Sequence, residues 1–321
     1  QRRVRGINAE YGEMQIDLHN HSTASDGDLS PLELVKRHHE HGVRLMAITD
    51  HDTIDGFFSI DEKQMPQNIT LIPGVELSVQ SDVDGKKHHM LALFPQFAMG
   101  QKSNSIQFQN NAYNFSVKQQ TENISQLKEF AESLNVMRKA RIERSQNYFK
   151  KLNEIYNLTL DFEEFCADNK INMSNYTSEM SIGRPLIAKY LMKKGLIKNV
   201  REAFDSYLSD DSPAYQSLPK TSLEQMIKRV KSIGGLTFIA HPHLWEYKQE
   251  ELDAQILSAF QNGLTGIEKW HSICVYEHDC VGSMGSDYHG KTVNEHVEVG
   301  VFRSETVKGS DVQRLLTCLF E

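Results

Sequence analysis

The sequence predicts an α/β fold in which a barrel-type sheet of parallel strands is interrupted by a mainly helical insertion. Three observations carry this expectation. Short apolar runs of strand length recur along the chain, and each hands over directly to a His, Asp or Glu. A capped helix separates the first two runs, which gives a strand, helix, strand unit. Between 96 and 220 this rhythm lapses, so barrel segments are expected at 14–95 and 221–321, with 96–220 inserted over the site.

The elements follow in order. Met14 to Leu18 alternates as a short strand, and His19 and His21, spaced i, i+2 at its end, project to one side. After His21 the chain turns small and polar, and Asp26-Gly27 brings a carboxylate to a sharp bend. Ser30-Pro31 reads as an N-cap and first helical residue, helical spacing runs on to His41, and Gly42 stops it. Val43 to Thr49 is a mostly apolar strand that ends in Asp50-His51-Asp52. Ile69 to Val75 leads into Glu76, and Lys87 to Leu93 is a strand-like run opening on His88-His89.

The interruption begins with a Gln-, Asn- and Ser-rich stretch from Gln96 to about Asn123, expected to be extended or partly mobile. From Glu122 to Asn157 apolar residues recur at helical spacing. Arg138, Lys139, Arg141 and Arg144 lie on that stretch, where a basic run is by default a solvated face and substrate contact is the alternative. Arg184 follows Ser181-Ile182-Gly183 and precedes Pro185, at the start of a helix, where amides and a guanidinium together suit a phosphate. The strand pattern then resumes: Gly235 to Ala240 runs into His241-Pro242-His243, Leu264 to Ile267 into Glu268, and Val281 to Ser286 into Asp287-Tyr288-His289.

Composition narrows the functional classes. With 321 residues, 39% hydrophobic and 24% charged, the chain is long enough for a sizeable core. A net charge of -8 argues against a surface that coats nucleic acid, while leaving room for a local basic pocket. No apolar run approaches the roughly 18 residues that span a bilayer, and Gln1 to Arg5 lacks an apolar signal core, so a cytoplasmic protein without a membrane partner is expected. Cys166, Cys274, Cys280 and Cys318 form no C-x-x-C pair and are expected to be free thiols.

A lone His-x-His is more often a surface pair than a metal site. Here the 14 histidines cluster repeatedly at the ends of strands, where the functional groups of a parallel barrel collect. That recurrence points to a shared metal centre. A mixed imidazole and carboxylate set suits Mn, Fe or Zn better than an all-oxygen Mg or Ca cage. Asp50 and Asp52 are candidates for orienting imidazoles from outside.

The motifs Asp17-Leu18-His19-Asn20-His21-Ser22, Ser25-Asp26-Gly27, Ile48-Thr49-Asp50-His51-Asp52-Thr53, Pro73-Gly74-Val75-Glu76, Ala240-His241-Pro242 and Gly285-Ser286-Asp287-Tyr288-His289-Gly290 together resemble the PHP (polymerase and histidinol phosphatase) superfamily. Gly183 to Ala188 and Val200 to Phe204 resemble its stand-alone nucleotide phosphoesterases, the 3',5'-nucleoside bisphosphate phosphatases and 5'-3' exoribonucleases. The resemblance implies a distorted (β/α)7 TIM-like barrel with three divalent metals, Mn2+ first, with Fe2+ or Zn2+ as alternatives. It implies that His19, His21 and Asp287 hold one metal, that Glu76 bridges it to a second at His89 and His241, and that Asp26, His51 and His289 hold the third. His89 is preferred to His88 because the family histidine directly precedes a short apolar segment, here Met90-Leu91.

Arg184, as a substrate clamp, and His271, which matches a family histidine near the site, are the implied catalytic candidates. The implied activity is hydrolysis of a phosphate ester of a nucleotide or short oligonucleotide by hydroxide activated between metals. Three features depart from the family pattern: Leu186 stands where many relatives have histidine, the connection after His271 is too short for the usual helix, and the 96–123 insertion is long. The same ligands allow a histidinol-phosphate phosphatase. A non-catalytic metal-stabilised module is the alternative from another class, although such modules usually lose ligands and all nine positions are filled here.

Overall fold

The structure is a computed structural model that describes residues 15–117, 124–178, 180–245, 247–273, 275–301 and 306–321. Expectations resting on Gln1 to Arg5, Met14, Cys274 and the 118–123 end of the insertion lie outside them. In chain order the strands are β1 (Ile16–Asp17), β2 (Leu45–Ile48), β3 (Thr70–Gln80), β4 (Lys87–Leu93), β5 (Met99–Gly100), β6 (Ser103–Phe108), β7 (Asn111–Ser116), β8 (Ile171–Asn172), β9 (Thr177–Ser178), β10 (Leu236–Ile239), β11 (Gly266–His271) and β12 (Val281–Gly285). The helices are α1 (Pro31–Glu40), α2 (Asp55–Phe58), α3 (Ile124–Ser133), α4 (Asn135–Tyr156), α5 (Phe162–Asp168), α6 (Arg184–Lys193), α7 (Val200–Ala203), α8 (Leu223–Ser232), α9 (Gln249–Gln261) and α10 (Gly309–Phe320).

The main sheet runs β1-β2-β3-β4-β10-β11-β12. Backbone bonds bring its two ends together: Leu18 N donates to Met284 O, Asp287 N to His19 O and His21 N to Tyr288 O, each at 2.9 Å. This is the expected TIM-like barrel, with one strand reversed. β4 lies antiparallel to both β3 and β10, whereas β1-β2-β3 and β10-β11-β12 pair in parallel. The reversal follows from the turn after Gln80, which is too short for the crossover that a parallel neighbour requires. Helix α1 starts as expected, with Ser30 and Glu33 in a capping box, and Gly42 (φ 84°) ends it in the left-handed region.

Inside the ring, Ile16, Leu45, Ile72, Leu91, Phe238 and Met284 are buried together, and Leu315, Leu316 and Leu319 of α10 join the same cluster. The stretch expected to be extended or partly mobile contains an ordered antiparallel hairpin, β6-β7. Its composition is polar, but Ile106, Phe108 and Phe115 turn inward, and Phe115 stacks on Phe320 at 4.6 Å. Asn104 Nδ2 donates to Arg44 O at 3.3 Å, which puts the hairpin where β2 begins, at the end of the barrel away from the strands' carboxyl ends.

Helix α3 packs Leu127 and Phe130 onto the layer outside the sheet. From Ile142 to Ala214 a separate cluster forms around Tyr148, Phe149, Phe165 and Leu191. Among the described residues, ion pairs of Arg141 with Asp52, Arg138 with Asp55 and Lys189 with Asp28 tie these helices to the barrel. Among the described residues no helix is long and apolar enough to cross a membrane.

Candidate metal centre

The hollow gathers residues that follow β1, β2, β10 and β12 within a few positions together with Glu76 of β3 and His89 of β4. Two of these residues take left-handed backbone, His241 (φ 32°) and Asp287 (φ 56°), as does Asp52 (φ 52°) directly after His51. Such conformations cost on the order of 1–3 kcal/mol for non-glycine residues and are retained where neighbouring contacts over-determine them. Glycine makes the close approach possible: a Cβ on Gly285 would lie 2.4 Å from His19 Cβ.

All nine ligand candidates read from the sequence converge here. Glu76, on β3, is central and almost wholly buried. Its Oε2 lies 3.4, 3.1 and 3.0 Å from nitrogens of His19, His21 and His51, and its Oε1 lies 2.9 Å from both His89 and His241. Asp287 Oδ1 lies 3.3 Å from both His19 Nε2 and His21 Nε2. Asp26 faces His51 at 3.7 Å and His289 at 3.5 Å. Glu76 therefore divides its two oxygens between two groups of imidazoles, and Asp26 gathers a third.

Divalent cations fit this arrangement. His19 Nε2, His21 Nε2, His51 Nδ1, Glu76 Oε2, Asp287 Oδ1 and both Asp26 oxygens are buried without a hydrogen-bond partner among the described residues. Leaving so many polar atoms unsatisfied is costly unless a ligand shares them. His21, Asp26, His51 and His289 form one group with donor atoms all within 4.8 Å of one another, as do His19, His21 and Glu76, and His51, Glu76 and His89. Burial works against charge on His21, yet Asp287 and Glu76 raise its pKa to about 10. Protons and cations thus compete for the same nitrogens.

The surrounding carboxylates differ from expectation. Asp50 accepts from Ser22 N, Ser22 Oγ and Ser25 Oγ, bracing the turn between His21 and Asp26. Asp52 accepts from Ser78 N and Arg141. Neither holds an imidazole; that place belongs to Glu268, whose Oε1 faces His19 Nδ1 at 2.9 Å and whose Oε2 accepts from His241 N at 2.7 Å. Glu268 was legible as an acid that ends a strand, but only the pairing of β11 turns it toward His19. His88 points away from the cluster, stacked on Trp245 at 3.6 Å and bonded to Tyr247 Oη at 2.9 Å. His271 joins the rim, its Nε2 3.4 Å from Asp287 Oδ2 and its Nδ1 accepting from Ile273 N.

A cavity of about 400 Å3 opens beside the cluster, lined by Asp26, His51, His89 and His241 and also by the basic side chains of Lys87, Arg141, Arg144 and Arg184. Arg184 begins α6, as expected, and its guanidinium bonds Leu208 O and Asp210. Arg141 is committed to Asp52 and Ser78. Arg144 differs. It is nine-tenths buried and makes no ion pair among the described residues, and its Nε has no hydrogen-bond partner. Burial, followed by Arg141 and Arg184, pushes its pKa down to about 9. Leu186, in place of a family histidine, is buried in the helical cluster.

Comparison with known proteins agrees with this geometry. Residues 17–208 match the PHP domain family. The chain is 27% identical to a 5'-3' exoribonuclease of Haemophilus influenzae over 86% of its own length and 90% of the relative's. It is 27% identical to a 3',5'-nucleoside bisphosphate phosphatase of Chromobacterium violaceum, covering 85% and 87% of the two chains. A solved structure from Bifidobacterium adolescentis, named as a candidate metal-dependent phosphoesterase, superposes with a TM-score of 0.70 at 25% identity over 96% of this chain and 98% of that one.

Proposed function

The chain belongs to the PHP family and is a metal-dependent phosphoesterase, and from that premise we propose that it hydrolyses the phosphate ester of a nucleotide or short oligonucleotide carrying a second, terminal phosphate. The observation that carries this reading is Arg144. A buried guanidinium whose Nε has no hydrogen-bond partner, with no ion pair among the described residues and in the same cavity as the candidate metal ligands, is suited to an anion that arrives with the substrate. A 3',5'-bisphosphonucleotide, or the 5'-phosphorylated end of an RNA, offers two phosphates in one ligand.

His19, His21 and Asp287 would hold one divalent cation, Glu76 would bridge it to another at His89 and His241, and Asp26, His51 and His289 would hold a third, with Mn2+ the first choice and Fe2+ or Zn2+ the alternatives. Cations there supply Lewis acidity toward a phosphoryl oxygen and a nucleophile from water at neutral pH. Glu268 fixes the tautomer of His19 by accepting the Nδ1–H hydrogen bond, so that Nε2 presents its lone pair to the cluster. His271 keeps its proton on Nε2, facing Asp287, because Nδ1 already accepts Ile273 N–H. Arg144, Lys87 and Arg184 grip the remote phosphate and set the ester against the ligand cluster. Orientation of this kind accounts for much of the catalysis of phosphoryl transfer, which asks little covalent chemistry of side chains.

A substrate panel tests the proposal: a 3',5'-bisphosphonucleotide, a 5'-phosphorylated short RNA, the matching 3'-monophosphonucleotide and histidinol phosphate, each with Mn2+ and with chelator. Turnover of either doubly anchored substrate, lost with chelator and much reduced without the remote phosphate, is expected. Faster turnover of histidinol phosphate than of any nucleotide would reverse the assignment. Tight nucleotide binding with no phosphate released would mark a binding module instead.

A further inference from the structure

We infer that Asp210 is an internal anion occupying the place that the substrate's remote phosphate takes, so that substrate enters by displacing it. This inference rests on the reading of the cavity's basic side chains given above. Asp210 divides its carboxylate between two cavity cations, with Oδ1 2.5 Å from Arg184 Nη1 and Oδ2 3.9 Å from Lys87 Nζ. Its side chain is 58% exposed, so burial does not hold it there. What holds it is the pair of cations, and a phosphate presents more oxygens and more charge to the same two groups.

The cations are fixed independently of Asp210. Arg184 Nη1 also donates to Leu208 O at 2.8 Å, and its guanidinium lies over the rings of Phe204 and Tyr215, 5.2 and 5.6 Å from their centroids. Lys87 Nζ sits 4.3 Å from the Tyr215 centroid. Both groups therefore have contacts that do not depend on the carboxylate. Residues 204–208 form a π-helical turn that aims the Leu208 carbonyl at Arg184. Asp210 lies just beyond that turn, in a connection without helix or strand, so it can swing away while the anchoring carbonyl stays.

Displacement imposes the same cost on every anion that uses these cations and none on a substrate that does not. Its effect is to keep weak ambient anions out and to hasten loss of a phosphorylated product, whose place the carboxylate retakes.

Asp210→Ala, with Asp210→Asn as a second variant, tests the inference in the metal-loaded full chain. Adenosine 5'-monophosphate binding is read by calorimetry, and KM is measured for a 3',5'-bisphosphonucleotide and for a 3'-monophosphonucleotide. Both variants are expected to bind the 5'-monophosphate about tenfold more tightly and to lower the bisphosphate KM by a similar factor. The 3'-monophosphate KM stays unchanged, and Asp210→Glu behaves as the parent does. A merely structural role would weaken binding, so unchanged or weaker binding in both neutral variants overturns the inference. If Arg144→Ala and Arg184→Ala also leave the bisphosphate KM untouched, the reading of the basic side chains falls with it; if they raise that KM, only the role of Asp210 falls.

Discussion

Replacing Arg144 by methionine should make the protein more stable and its substrate binding worse. The guanidinium, ordinarily protonated up to 12.5, holds its proton only to about 9 here, because of burial first and then Arg141 and Arg184. At 1.36 kcal/mol per pH unit, about 4–5 kcal/mol is the ceiling on what the isolated charge costs the fold. The cavity is open to solvent on one side, so about 1–2 kcal/mol is the working figure. Methionine keeps the length and the packing without the charge. Unfolding followed by calorimetry should show a midpoint higher by a few degrees.

Substrate should report the opposite sign. Charge-assisted hydrogen bonds are worth about 1.5–3 kcal/mol each, so kcat/KM for the 3',5'-bisphosphonucleotide should drop roughly 10- to 150-fold. The 3'-monophosphonucleotide should be nearly unaffected. Arg144→Lys should recover part of the loss, because it restores charge without the fork. A variant less stable than the parent, with equal losses on both substrates, would show that Arg144 serves the fold and would refute the argument.

Three further outcomes follow from the same geometry. His89→Ala should lower the number of bound metals counted by elemental analysis while His88→Ala keeps them all, since only His89 faces Glu76; metal loss confined to the His88 variant would overturn the assignment. Burial alone would raise Asp52, but Arg141 and the Ser78 amide hold it below the usual carboxylate range, so its contribution is complete above about pH 4 and is lost as pH falls below that. Asp52→Asn should therefore flatten the acid limb of a stability profile measured between pH 3 and 6, whereas an unchanged limb would show that the pair carries none of it. Finally, the salt dependence of kcat/KM on 5'-phosphorylated RNAs should be shallow, with a slope of about -1 to -2 on a log-log plot, and should not steepen from 4 to 20 nucleotides; a slope that grows with length would reveal a surface track for RNA.

Part of the candidate site was legible because His19, His51, His241 and Asp287 follow a strand's end within two or three residues, whereas the full set of nine candidates came from the resemblance of the motifs. Three things were not, for different reasons. The reversal of β4 leaves no mark on an apolar pattern whose period is the same in either direction. The hairpin at Ser103–Ser116 was obscured by its Asn and Gln content, although Ile106 and Phe108, spaced i, i+2, already carried the alternation that buries one face. Asp50 and Asp52 sit beside His51 in sequence, yet their side chains leave in other directions, to Ser22 and Ser25 and to Arg141.

Arg144 shows why a basic run is ambiguous from sequence alone. Arg138, Arg141 and Arg144 are spaced i, i+3, i+6 on α4 and look alike as a series, but their fates differ because the opposing surface differs. Arg138 meets Asp55, Arg141 meets Asp52, and Arg144 meets no acid among the described residues. The first two close the helical segment onto the loop that follows His51, and so bring the third over the cavity. In a chain of net charge -8 that placement matters. A polyanion meets a chain of net negative charge and, in this cavity, a cluster of basic side chains, which favours the end of a strand, or a single nucleotide, over its middle.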